Sequence, residues 1–96
     1  MLKDKYSFVP VSSSCLHGFS AMNHFAAKAF GYKGIPRFQI DYANSLRGSA
    51  KEEAFKHDVA EAELMSKGWN YWDAHRKANL WQGLSWNDLE EELGEI

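Results

Sequence analysis

Between Ser49 and Gln82 the chain repeats apolar residues at helical spacing twice, and only Ser66-Lys67-Gly68-Trp69 separates the two patterns. So short a gap returns the second helix along the first, and two helices in contact are the strongest constraint on the fold. In the first pattern, Ser49-Ala50-Lys51-Glu52 has the form of a capping box, which predicts a helix running to Lys67 with Gly68 as its stop. Phe55, Val59, Ala62 and Met65 cluster on one side of it and are assigned to the core. His57 and Glu61 fall on roughly the opposite side together with Ala50, Ala54 and Leu64, so that side is not simply solvent-facing. In the second pattern Asn70 is the expected cap of a helix through about Gln82, with Asp73 in the first turn and Gly83 ending it. Its apolar stripe is Tyr71, Ala74, His75, Ala78 and Trp81. A last helix is predicted from Trp86 to about Leu93, with Ser85 as cap and a staple between Leu84 and Leu89.

The first half is less regular. Residues 5–11 are rich in strand formers, and Pro10, lacking an N–H, suits an edge strand. Residues 12–18 read as a loop. Ser20 is the expected cap of a helix to about Phe30, followed by Gly31, with Met22, Phe25, Ala26, Ala29 and Phe30 facing the core and His24 at its boundary. Phe38, Ile40 and Tyr42 alternate with Arg37, Gln39 and Asp41, the period of a half-buried strand. The expected fold class is α+β: a small two-stranded sheet against about four helices, with an all-helical C-terminal half. Ninety-six residues correspond to one domain, 1–96.

Cys15 is the only cysteine, which excludes an intrachain disulfide and a multi-cysteine zinc knuckle and fits a reducing compartment. With no long apolar run and no signal-like start, a cytoplasmic location without membrane contact is expected. Residues 1–51 carry seven Lys/Arg against two Asp, whereas residues 52–96 carry four against eleven Asp/Glu. Such halves either complement each other within the fold or leave a basic N-terminal face for nucleic acid.

His57 and Glu61 are one helical turn apart, and a fold-back at Gly68 brings His75 toward them. Two imidazoles and a carboxylate suit zinc with one open position, so the three form a candidate catalytic or metal-binding set. The competing view is an ordinary (i, i+4) contact with His75 bonded across a helix interface, needing no cofactor. Cys15 and His17 suggest an activated thiol, but two residues apart in a loop their mutual orientation is unspecified.

The stretch "HDVAEAELMSKGWNYWDAH" resembles segments of bacterial polymorphic-toxin domains and phage-encoded small proteins, of form His-[Asp/Glu]-x-x-Glu and then Gly-x-x-Tyr-x-x-Ala-His. His57, Asp58, Glu61, Gly68, Trp69, Tyr71, Ala74 and His75 form the matching neighbourhood, with looser Gly-to-Tyr spacing. The resemblance implies that His57, Glu61 and His75 act together; it identifies no reaction. "HDVAEA" also resembles the His-Asp doublet of metal-dependent phosphohydrolases, whose further histidine and aspartate would have to be His24 and Asp88.

Trp69, Trp72, Trp81 and Trp86 fall within eighteen residues, more indole than a small core readily takes up. Trp69, Tyr71, Trp72 and Arg76 are therefore candidate binding residues for another protein. The leading expectation is a cofactor-free protein-binding module, an inhibitor or adaptor of phage or mobile-element type. The alternative is a His/Glu-based hydrolase or nuclease-like toxin domain that depends on a divalent metal such as zinc.

Overall fold

The structure, a computed structural model, describes residues 1–96. Its strands are β1 (Ser7–Val11), β2 (Ala21–Asn23) and β3 (Gln39–Ala43), and its helices are α1 (His24–Phe30), α2 (Gly48–Ser66), α3 (Tyr71–Leu80) and α4 (Trp86–Gly94). Short 3₁₀ turns occupy Leu2–Lys5 and Ser13–Leu16. The architecture is α+β, but the sheet has three strands rather than the expected two, in the order β1-β3-β2. β1 runs parallel to β3 and β2 antiparallel to it. Pro10 sits on the β1 edge, where its missing N–H interrupts no central ladder.

The extra strand displaces the expected start of the first helix. Ala21, Met22 and Asn23 pair with Tyr42, Asp41 and Ile40, and the helix opens only at His24, because the Asn23 side chain takes the Ala26 N–H at 2.9 Å. Ser20 is therefore not the cap. The capping box at Ser49 is likewise not used: α2 begins at Gly48, whose φ of +58° favours glycine, and Arg47 precedes it without a side-chain cap. Asn70 and Ser85 do cap α3 and α4, accepting the Asp73 and Asp88 N–H groups. Each satisfies a backbone N–H that the first helical turn leaves without an intrahelical partner.

Two apolar clusters fill the interior. The larger joins Ile40 of the sheet to Phe55, Val59 and Leu64 of α2, Ala74, Ala78 and Trp81 around α3, and Leu89 and Leu93 of α4. Phe8 on β1 stacks between Tyr42 and Phe55, tying sheet to helix. The smaller cluster holds Leu16, Met22, Ala26, Ala27, Ile35 and Ala43 around Tyr71, while Met65 packs against both. Two positions assigned inward face outward: Ala29 is exposed, and Phe38 is exposed beneath the Arg37 guanidinium 4.3 Å from its ring.

The basic half does meet the acidic one. Lys3 pairs with Glu52 at 3.4 Å, and Lys5 and Arg37 flank Glu63 at 3.8 and 3.9 Å. No helix is long and apolar enough to cross a membrane.

Candidate metal centre

The α2–α3 reversal sets the site. Lys67 and Gly68 return their N–H groups to Leu64 and Met65, Gly68 takes φ +102°, and the Asn70 cap restarts a helix immediately. α3 consequently lies against α2, and His75 faces the turn of α2 that carries His57 and Glu61. His57 Nε2 lies 3.1 Å from Glu61 Oε2 and 3.2 Å from His75 Nδ1, and His75 Nδ1 lies 2.9 Å from the same Glu61 oxygen. Three donor atoms from two helices thus close a triangle. Tyr71 stacks on the His75 ring and places its hydroxyl 3.3 Å from Nδ1.

That triangle differs from an ordinary hydrogen-bond network. Each close pair needs a hydrogen between its atoms, yet an ionised carboxylate oxygen brings none and each imidazole nitrogen at most one. If both nitrogens carry hydrogens toward Oε2, two N–H groups confront each other. If one is bare, its lone pair faces another lone pair. With Glu61 ionised and each N–H directed to a single acceptor, no assignment satisfies all three edges, whereas a cation among the three atoms satisfies them together. Donors about 2.0–2.1 Å from a tetrahedral zinc lie about 3.3–3.4 Å apart, so only a few tenths of an ångström separate the observed edges from that geometry.

Glu61 is buried, and its other oxygen accepts a 3.0 Å hydrogen bond from Asn23 Nδ2. The same amide nitrogen donates to Asp58 Oδ1 at 3.2 Å. Asn23 is fully buried between β2 and α1, and it holds the carboxylate so that only Oε2 faces the histidines. Asp58 points to Asn23 rather than into the triangle. Burial and then the Glu61 charge push its carboxyl well above the usual carboxylate range, against smaller opposing pulls from His57 and the Asn23 hydrogen bond. For His57 burial works to lower the imidazole pKa, but the Glu61 hydrogen bond and the Asp58 and Glu61 charges outweigh it and raise it. Tyr71 is raised by burial and then by the Glu61 and Asp58 charges, so it stays a hydroxyl donor.

The triangle opens onto a cleft of about 500 Å³. Its lining includes Ala50 and Ala54, whose small side chains leave space, together with Phe19, Leu46 and Trp72 and the exposed Glu53. The second side of α2, with its two alanines beside His57 and Glu61, thus faces a cavity.

Of the other candidates, Tyr71 and Trp72 line the cleft, and Trp69 and Arg76 do not. Trp72 and Arg76 are exposed, Arg76 pairing with Asp73 at 3.2 Å; Tyr71 is buried, and Trp69 packs half-buried on the core. Of the remaining indoles, Trp81 is buried and Trp86 donates to Glu52 while packing on Phe55. His24 bonds the Ile35 carbonyl and Asp88 sits exposed at the start of α4, so neither joins the His57-Asp58 doublet. His17 stacks on Tyr32, and Cys15 is exposed. Asn23 and Glu53 are the residues that sequence reasoning missed. An Asn directly before a helix is a recognisable cap, but its reach to Glu61 spans 38 positions.

No protein-family model, curated protein or solved structure matches the chain.

Proposed function

We propose that this protein is a metal-dependent hydrolase in which His57 Nε2, His75 Nδ1 and Glu61 Oε2 hold one divalent ion, with zinc as the best fit. The observation that carries this reading is the triangle of three donor atoms 2.9 to 3.2 Å apart, drawn from two helices, which a single cation would satisfy together. Because His57, Glu61 and His75 all line the cleft, an ion held by them would keep a fourth position for water or substrate, as catalytic rather than structural zinc does. An ion held there would bring the pKa of bound water toward neutrality and would polarise a carbonyl. Around it the chain's own groups have clear parts. Asn23 fixes Glu61, and the Tyr71 hydroxyl, beside His75 Nδ1, is available to an oxygen arriving at the open position.

The test is zinc uptake followed by loss of function. After chelation and dialysis, the chain is expected to bind one zinc, and ligand at a hundredfold excess over Kd stabilises it by about 2.7 kcal/mol. Glu61→Gln and His75→Ala should lose both the stoichiometric zinc and the thermal shift while remaining folded by circular dichroism. Hydrolysis of ester and amide substrates should disappear with chelator and return with zinc. Unchanged melting with zinc, or zinc retained by both variants, contradicts the reading.

A second reading, capture of another protein by α3, is favoured by Trp72 and Leu80, which stand 63% and 74% exposed. It ranks below the first because the other indoles are committed to packing. Under it, Trp72→Ala with Leu80→Ala would abolish partner binding, and His57→Ala with His75→Ala would leave it intact.

A further inference from the structure

Glu53, His57 and Glu61 lie four residues apart in succession on α2, so Glu53 shares their face one turn beyond His57. Gln82 Nε2 donates to its Oε2 at 3.1 Å and holds it in the lining of the cleft. Three of the lining residues are acids, Glu53, Asp58 and Glu61, and none is lysine or arginine. The same lining includes Phe19, Leu46, Tyr71 and Trp72, which present apolar and aromatic surface.

We propose that the cleft takes a neutral or cationic acyl compound of peptide type, with its carbonyl at the His57–Glu61–His75 centre, a bulky apolar group on the aromatic wall and a basic group at Glu53. This rests on the metal-hydrolase reading above and specifies its substrate class. Phosphoryl transfer uses cationic clamps on the non-bridging oxygens. The lining offers none beyond the proposed cation; burial favours the uncharged form of Asp58 and the cation would offset Glu61, so the exposed Glu53, with no lysine or arginine beside it, is the group that attracts an ammonium or guanidinium. The volume lies in the range of small-ligand sites, enough for a dipeptide-sized segment. Hydrolysis joins the water oxygen to the acyl carbon and breaks the C–N bond. One water proton ends on the amine and the other on the carboxylic acid, so no oxidant or reductant is required.

The experiment titrates the zinc-loaded full chain with arginine hydroxamate, aspartate β-hydroxamate and phenylphosphonate, after zinc stoichiometry has been measured separately. Arginine hydroxamate is expected to bind about tenfold more tightly than the aspartate compound, the equivalent of about 1.4 kcal/mol, with phenylphosphonate weakest. Glu53→Gln should bring the two hydroxamates within about two- to threefold of each other while the zinc stoichiometry is retained. Equal affinities in the parent chain, tighter binding of the phosphonate, or a preference that survives Glu53→Gln overturns the substrate assignment. A chain that takes up no zinc overturns the hydrolase reading and this one with it, on a separate signal.

Discussion

Asn23 divides its amide between two elements, its oxygen taking the Ala26 N–H and its nitrogen reaching Glu61 and Asp58. Asn23→Ala therefore removes a helix cap and a buried donor together. It should cost about 2–4 kcal/mol in chemical denaturation, combining about 1 for the cap with about 1–3 for carboxyls left short of a donor. It should also weaken zinc binding about 10- to 100-fold, the usual effect of freeing a ligand from its outer hydrogen bond. Away from the site, Trp86 Nε1 donates to Glu52, and with smaller help from Lys3 this holds the Glu52 carboxyl below the usual 4.5 against a modest opposing effect of burial. A depressed folded-state pKa contributes stability at pH values above 4.5 that is lost as pH falls through the folded value. Trp86→Phe should thus return the Glu52 pKa toward 4.5, read by NMR titration, and remove that part of the acid dependence. His57 and Glu61 were legible because a four-residue spacing fixes a shared face, and His75 because a short turn fixes the return. Asn23 was not, because which carboxylate it meets is decided by how β2 packs on α2.

The α2–α3 hairpin depends on Gly68 at φ +102°, a conformation that side chains with a Cβ resist. A Cβ there would meet nothing within 4 Å, so the cost of Gly68→Ala is conformational rather than steric. It is expected at about 1–2 kcal/mol in denaturant unfolding. Ala74, fully buried in the core cluster that joins the helices, has no such latitude. Ala74→Leu should destabilise by about 1–3 kcal/mol and, by prising α3 from α2, lower zinc affinity more than Gly68→Ala does, which calorimetry can compare directly. The helices after residue 48 were legible from periodicity and caps, since both signals are local. β2 was not: three residues cannot display an alternating period, and their strand state comes from pairing with β3, as Ala21 does with Tyr42 and Asn23 with Ile40, far along the chain. Ser49 shows the reverse error, a cap motif set aside because the helix had already started at Gly48.

Taken as one molecule, the chain sets its opposite-signed halves against each other. Lys3, Lys5 and Arg37 from the first half meet Glu52 and Glu63 from the second. Such partly exposed pairs are individually worth about 0–1 kcal/mol, so they orient the halves more than they stabilise them. What sets the protein apart is the convergence of sheet, α2 and α3 on one buried carboxylate: Asn23 from β2, His57 from the same helix and His75 from the next all address Glu61. The most direct test is a zinc-soaked crystal measured on both sides of the zinc absorption edge. The account requires one anomalous peak about 2.0–2.2 Å from His57 Nε2, His75 Nδ1 and Glu61 Oε2, with its open side toward Trp72 and the cleft. The absence of that peak, or a peak away from these atoms while they remain in mutual contact, would contradict it.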